Sequence, residues 1–331
     1  MADGATMVPG YRHLPGHHCG STALRNLLGF HGIELSEEMA FGLGAGACFY
    51  YLVLEEASPT RWFNGRVARL EENFRELTGA ALEMRTFDPG DTAWEAARAE
   101  VDAGRPALLL TDLYYLDHYG RSAHFPGHAV VLAGYDGGSA LLSDTGFEEL
   151  QRTSLENLDR ARHSDHPAYP LAGHMFTVGA TIDERALREA IPRAIERTAQ
   201  EMLEPSWGEF AGLPAVRRLA EEAGGWPEQT DDWQWCARFG YQVIERRGTG
   251  GGAFRLMYSR FLTEAGEEDA AVLCADAAAR WTVLAEALRA ASEDERHEPA
   301  LWSAVGESAG ACAEAEERLW TNLAYARKRA K

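Results

Sequence analysis

Two kinds of hydrophobic spacing divide the chain. Up to about residue 180, stretches with apolar residues three and four apart alternate with continuous apolar runs such as ALLLTDLYYL from Ala107 and HAVVLAGYD from His128. That mixture of helical and strand periodicity predicts an α+β domain. From Ile182 onward the spacing is helical almost throughout, in IDERALREAIPRAIERTAQEML, AAVLCADAAARWTVLAEALRAAS and CAEAEERLWTNLAYARKRAK. Between these segments lies EPSWGEFAGLPAVRRLAEEAGGWPEQTDDWQW, aromatic and broken by Pro and Gly. The pattern predicts residues 1–180 as one α+β domain and 181–331 as a mainly α-helical one, with no internal repeat.

Within the first part, YRHLPGHHCGSTALRNLLGFHGI carries three histidines and a cysteine ahead of a helical pattern. Ala23, Leu24, Leu27 and Leu28 repeat at helical spacing, and Gly29 and Gly32 supply the stop, so a helix begins at or just after Cys19. A helix start presents N–H groups and a partial positive charge, which favour thiolate over thiol, and the thiolate is the nucleophile. A small packed thiol beside a turn is the alternative, and a partner must decide between them. FPGHAVVLAGYDGGSALLSDTG offers one, because two apolar runs flank Asp136, Gly137 and Gly138 and predict a tight β-hairpin. A turn centred on Asp136 sets His128 directly opposite Asp144, whereas one centred on Gly137 makes them diagonal neighbours on one face. A half-residue slip sends them to opposite faces. In either favourable register a carboxylate orients an imidazole, the acid–base partner that a cysteine nucleophile needs.

Composition narrows the classes. A chain of 331 residues, 46% of them hydrophobic, can bury a large core. The excess of 51 acidic over 32 basic side chains argues against a general nucleic-acid binder. No apolar run approaches the roughly 20 residues that cross a bilayer, and MADGATMVPG lacks the basic-then-apolar pattern of a secretory signal, so a cytoplasmic protein without membrane contact is expected. Five cysteines (Cys19, Cys48, Cys236, Cys274, Cys312) are odd in number, scattered and free of CxxC pairs, which fits reduced thiols.

The order of a cysteine at a helix start, a histidine heading a strand that reads HAVVLAGYD and an aspartate in LLSDTG resembles the papain-like cysteine peptidase fold, in its bacteriocin-leader-processing branch. More specifically, HHCGSTALRNLL, MAFGLGAGACFYY and GTGGGAFRLMYSRFLTEA resemble the two-domain family of butirosin biosynthesis protein H, BtrH. The resemblance spans most of the chain. It implies a papain-like N-terminal domain with an antiparallel sheet, a helical C-terminal domain, and acyl transfer from an acyl carrier protein thioester to a small-molecule amine. Cys19 would be the nucleophile, His128 the base and Asp144 the orienting acid. No cofactor of its own is implied, the phosphopantetheine arm belonging to the acyl donor. Peptidases of this fold carry an oxyanion-hole Gln six residues before the cysteine, where this chain has His13. An imidazole N–H of His13, His17 or His18 could donate that hydrogen bond instead.

Other candidates have plainer readings. His13, His17, His18 and Cys19 lack a second cluster at zinc spacing, so no metal site is expected. His118, His124, His163, His166 and His174 lie in polar or turn-like segments where exposure is the default, and Cys48 should be packed. The glycines of GLGAGACFYY serve either an acyl chain or close helix packing. Gly248, Gly250 and Ala253 match GxGxxG/A, but helical sequence follows and no βαβ unit is in sight. Those glycines could instead open a helix start to a phosphate or carboxylate with Arg255 as a clamp, or pack as a loop with Arg255 in an ion pair. GGWPEQTDDWQW mixes Trp226, Trp233 and Trp235 with acids that could hold an amine or simply face water. The functional expectation is a cysteine-dependent acyltransferase, with hydrolysis by the same triad or a non-catalytic scaffold as rivals.

Overall fold

The structure is a computed structural model describing residues 4–88, 92–167, 169–179, 182–296 and 298–329. The elements begin β1 (Thr6–Met7), α1 (Cys19–Phe30), α2 (Glu37–Leu43), β2 (Ala47–Val53), β3 (Arg61–Arg66), α3 (Leu70–Thr78), β4 (Leu82–Arg85) and α4 (Ala93–Asp102). They continue with β5 (Ala107–Asp112), β6 (Pro126–Asp136), β7 (Ser139–Ser143), β8 (Gln151–Ser154), α5 (Leu155–Arg162) and β9 (Met175–Val178). The helical part comprises α6 (Glu184–Leu203), α7 (Gly212–Glu222), α8 (Trp226–Gln229), α9 (Trp233–Glu245), α10 (Arg255–Glu264), α11 (Glu268–Glu293) and α12 (Pro299–Arg329). The class is therefore α+β followed by helices, and no helix among the described residues is long and apolar enough to cross a membrane.

Two compact units form, and they are not sequential halves. One comprises Met1–Ala40 with Phe74–Arg188, the other Phe41–Asn73 with Glu189–Lys331. Residues 180 and 181, where the sequence pattern set the division, lie outside the described residues. The difference is the β2–β3 hairpin, whose aromatic side chains pack among helices of the second unit. Phe49 lies 5.0 Å from Trp281, ring centre to ring centre, and the Tyr51 hydroxyl donates to Glu222 at 2.8 Å and accepts from Trp226 Nε1 at 3.2 Å. Strand periodicity alone does not say which core a hairpin joins.

In the first unit a seven-stranded antiparallel sheet runs β4-β9-β5-β6-β7-β8, with β1 added alongside the end of β6. All six residues of β5 are buried, which explains why ALLLTD reads as an unbroken apolar run rather than an alternating one. Leu109, Val130, Leu132, Leu142 and Met175 belong to its core. Helix α1 packs across β5 and β6. Its Leu24, Leu27 and Leu28 have no exposed surface, so the spacing that predicted the helix also marks its buried face.

The hairpin carrying His128 and Asp144 closes through two residues, with Asp136 opposite Ser139 and Tyr135 opposite Ala140. An even loop alone would place the two site residues on opposite faces. A bulge between Leu132 and Gly134 removes that mismatch, and beyond it Leu132 pairs with Leu142 and Val131 with Ser143. Continuing that register brings Asp144 level with Val130, two residues from His128 and on the same face: the diagonal arrangement. Gly134 sits where β1 crosses, and a Cβ there would lie 2.5 Å from Met7 Sδ and 2.6 Å from the Thr6 carbonyl oxygen. The bulge and the close approach of β1 thus occupy the same place in the strand.

Candidate active site

Cys19 is the first residue of α1, directly after the capping residue His18. The Ser21 N–H donates to His18 Nδ1 at 3.2 Å, satisfying one of the helix's unpaired amides. The loop before it is fixed by a residue that local pattern did not reveal. Glu37, buried at the start of α2, accepts from the backbone N–H of His17 (2.9 Å) and of His18 (2.7 Å). Gly16 donates to the Thr145 carbonyl at 3.0 Å, tying the cysteine's loop to the chain just beyond Asp144. A Cβ on Gly16 would lie 2.2 Å from Thr22 Oγ1 and 2.6 Å from Glu37 Oε2, so only glycine fits that approach.

These constraints bring Cys19, His128 and Asp144 together. His128 Nε2 donates to Asp144 Oδ1 at 2.9 Å, and His128 also hydrogen-bonds Cys19, for which Nδ1 is left. Both members of the imidazole–carboxylate pair are buried, whereas Cys19 is half-buried. Burial alone would push the His128 pKa down. The charge of Asp144, its hydrogen bond and that of Cys19 outweigh burial and raise the value to about 10. Burial likewise works against ionised Asp144, yet His128 and a hydrogen bond from His118 hold its carboxyl well below the usual range. An imidazolium beside sulfur is the arrangement that keeps a thiolate ready to attack.

Asp144 has more partners than expected. His118, in the turn between β5 and β6, donates from Nε2 to Asp144 Oδ2 at 2.8 Å, and the Tyr119 hydroxyl donates to Oδ1 at 3.3 Å. The sequence had placed His118 among exposed histidines, but its side chain is 7% exposed. Its neighbour His124 behaves more as expected. It is 37% exposed, with Nδ1 2.7 Å from the buried Asp112 carboxylate and its ring stacked on Tyr114.

The site so assembled coincides with a family match. Residues 18–145 match the model described as butirosin biosynthesis protein H, N-terminal, and residues 156–323 match a domain of unknown function, DUF4872. The chain belongs to the BtrH family. The first match begins at the cap of α1 and ends one residue past Asp144, so it encloses all three residues of the triad. No curated protein matches the chain. Among solved structures it is similar to a C39-like peptidase from Bacillus anthracis, at 15% identity and a TM-score of 0.39, over 55% of this chain and 100% of that one.

Two expectations for this BtrH-family chain need correction. His13 has both ring nitrogens engaged inside the protein. Nε2 donates to the Phe147 carbonyl at 2.8 Å, so in the neutral ring Nδ1 accepts from Ser143 Oγ at 2.7 Å. Its position six residues before Cys19 therefore does not make it an oxyanion donor. Arg255 has no exposed surface and is engaged wholly within the protein. It pairs through Nε with Glu316 Oε1 at 2.8 Å and through Nη2 with Oε2 at 3.1 Å, while Nη1 donates to the carbonyls of Cys48 and Gly65. The glycine run ahead of it turns α9 into α10 through left-handed backbone, including Ala253 (φ 52°) and Phe254 (φ 70°). The element leading into it is helix α9 rather than a strand, and a Cβ on Gly252 would meet the backbone of Ala278 at 2.7 Å. Close packing is also what the earlier glycines serve, since a Cβ on Gly42 would lie 2.1 Å from Phe261 Cγ. Cys48, Cys236, Cys274 and Cys312 are buried, and burial raises the pKa of each.

Proposed function

We propose that this protein is a cysteine-dependent acyltransferase that moves an acyl group from a phosphopantetheine thioester of a carrier protein to an amine, forming an amide. The observation that carries the reading is His128 hydrogen-bonded between buried Asp144 and half-buried Cys19. Membership of the BtrH family supports thioester over peptide chemistry. Cys19 thiolate attacks the thioester carbonyl, and collapse of the tetrahedral intermediate breaks the bond to the pantetheine sulfur, which leaves with the proton held by His128. The acyl group then rests on Cys19 as a thioester. The incoming amine attacks it, His128 takes the amine proton, and departure of Cys19 thiolate restores the starting ion pair.

The developing oxyanion needs donors, and with His13 committed the candidates are the N–H groups at the start of α1 and His18. Because His18 Nδ1 caps the helix, its neutral ring carries the proton on Nε2. The test is to mix the protein with an acyl-pantetheine thioester, with and without added amines, and to follow protein and products by mass spectrometry. An acyl adduct confined to Cys19 that disappears into amide when amine is added supports transfer. Release of free acid at a rate indifferent to amine replaces the reading with thioester hydrolysis, and absence of any adduct and product points to a scaffold.

A further inference from the structure

We infer that His118 is a positioning residue for the nucleophile: it grips Asp144 on the oxygen that His128 does not use, so that one buried carboxylate is shared between two imidazoles. The inference rests on the reading of Cys19 as nucleophile and deepens it. Asp144 has no exposed side-chain surface, and a buried carboxylate with an unfilled oxygen can rotate to find a donor. Oδ1 receives His128 Nε2 at 2.9 Å and the Tyr119 hydroxyl at 3.3 Å, and Oδ2 receives His118 Nε2 at 2.8 Å. With both oxygens held, Oδ1 stays aimed at His128, and His128 in turn presents its other nitrogen to Cys19.

His118 is itself fixed from several sides. Its Nδ1 lies 3.3 Å from Thr153 Oγ1 on β8, and the Phe147 ring meets its ring edge-on at 5.1 Å between centres. The turn that carries it is anchored by Asp117, whose carboxylate accepts from the Ser154 N–H at 2.7 Å and from the Asn157 side-chain amide. The Thr153 hydroxyl meets Nδ1 while Nε2 holds Asp144, so both ring nitrogens of His118 are engaged and its ring is fixed in place. Among the described residues, the titratable groups facing this cluster are Cys19 from α1, His128 from β6, and Asp117 and Tyr119 from the turn itself. Among the described residues, none of the others donates to Oδ2.

The experiment measures the rate of Cys19 alkylation by iodoacetamide, read peptide by peptide, from acid to alkaline pH in wild type, His118→Phe, His118→Gln and His128→Gln. His118→Phe deletes the donor, whereas His118→Gln offers an amide N–H at a similar reach. Expected is a rate for His118→Phe about tenfold below wild type near pH ~6, converging with it in strongly alkaline solution where the thiol ionises unaided, and recovery of most of the loss in His118→Gln. A general loss of structure would instead change labelling at every pH. If the phenylalanine variant fails to fold, Thr153→Val, which removes only the outer partner of the ring, is expected to shift the profile in the same direction by a smaller amount. Variants whose profiles overlay wild type while His128→Gln does not would overturn the role of His118 alone. A wild-type profile identical to that of His128→Gln would overturn the nucleophile reading, and this inference with it.

Discussion

The two buried charge clusters of this chain use the same chemistry to different ends. Around Arg255, every charge is answered from within: Glu316 takes Nε and Nη2, backbone carbonyls take Nη1, and Trp281 and Trp320 donate their indole N–H groups to Glu316. Both side chains are wholly enclosed, and nothing in the network is reactive. Around Asp144, the hydrogen-bond chain is equally buried at its base but runs through His128 to a half-buried sulfur. Burial and a shifted pKa occur in both clusters, so neither distinguishes structure from chemistry. What differs is that the chain of bonds around Asp144 ends on a half-buried thiol, while the one around Arg255 closes on itself.

That contrast can be tested by changing each cluster in turn. The largest effect is expected at Cys19: Cys19→Ser should lower acyl transfer at least about a thousandfold while leaving the melting temperature almost unmoved, as activity assays and thermal unfolding would record. Glu316→Ala should do the reverse. It strands a buried guanidinium and should cost about 3–5 kcal/mol in chemical denaturation, while Cys19 in the folded protein keeps its alkylation profile. Gly252→Ala presses a Cβ onto the Ala278 backbone at a left-handed position, and a smaller loss of about 1–3 kcal/mol is expected by the same measurement.

The gentlest change comes from pH, spread over several units. The folded pKa of His128 lies above its unfolded value, so its stabilisation is full below about 6.5 and fades as pH rises through about 10. Asp144 has the opposite sign: its contribution is present above its unfolded value and is lost as pH falls through the lower folded one. Unfolding free energies of wild type and His128→Gln, compared across pH, should therefore approach each other toward the alkaline end.

How much of this was legible in the sequence follows the range of each interaction. Helix α1 is announced by four apolar residues within six positions, all of them buried. The hairpin was legible too, but its register depends on a bulge at the point where β1 crosses Gly134, a tertiary event that local turn residues do not encode. His118 lies 26 residues from Asp144 in a polar turn without periodicity, so composition suggested exposure. A possible signal was its place among aromatic residues in LYYLDHYG, unusual for a solvated loop. For Arg255 the sequence left a ligand clamp and a structural ion pair equally open, because a glycine run looks alike whether it opens toward an anion or lets backbones touch. Its partner Glu316 is 61 residues away on a long helix.

If His128, held by Asp144, keeps Cys19 ionised, the thiolate itself should be visible. The measurement is a titration of thiolate ultraviolet absorbance, taken as the difference between wild type and Cys19→Ser and repeated in a His128→Gln background. Expected is a thiolate signal already present at neutral pH and lost on acidification, which in the His128→Gln background appears only in alkaline solution. Superimposable titrations in the two backgrounds would contradict it.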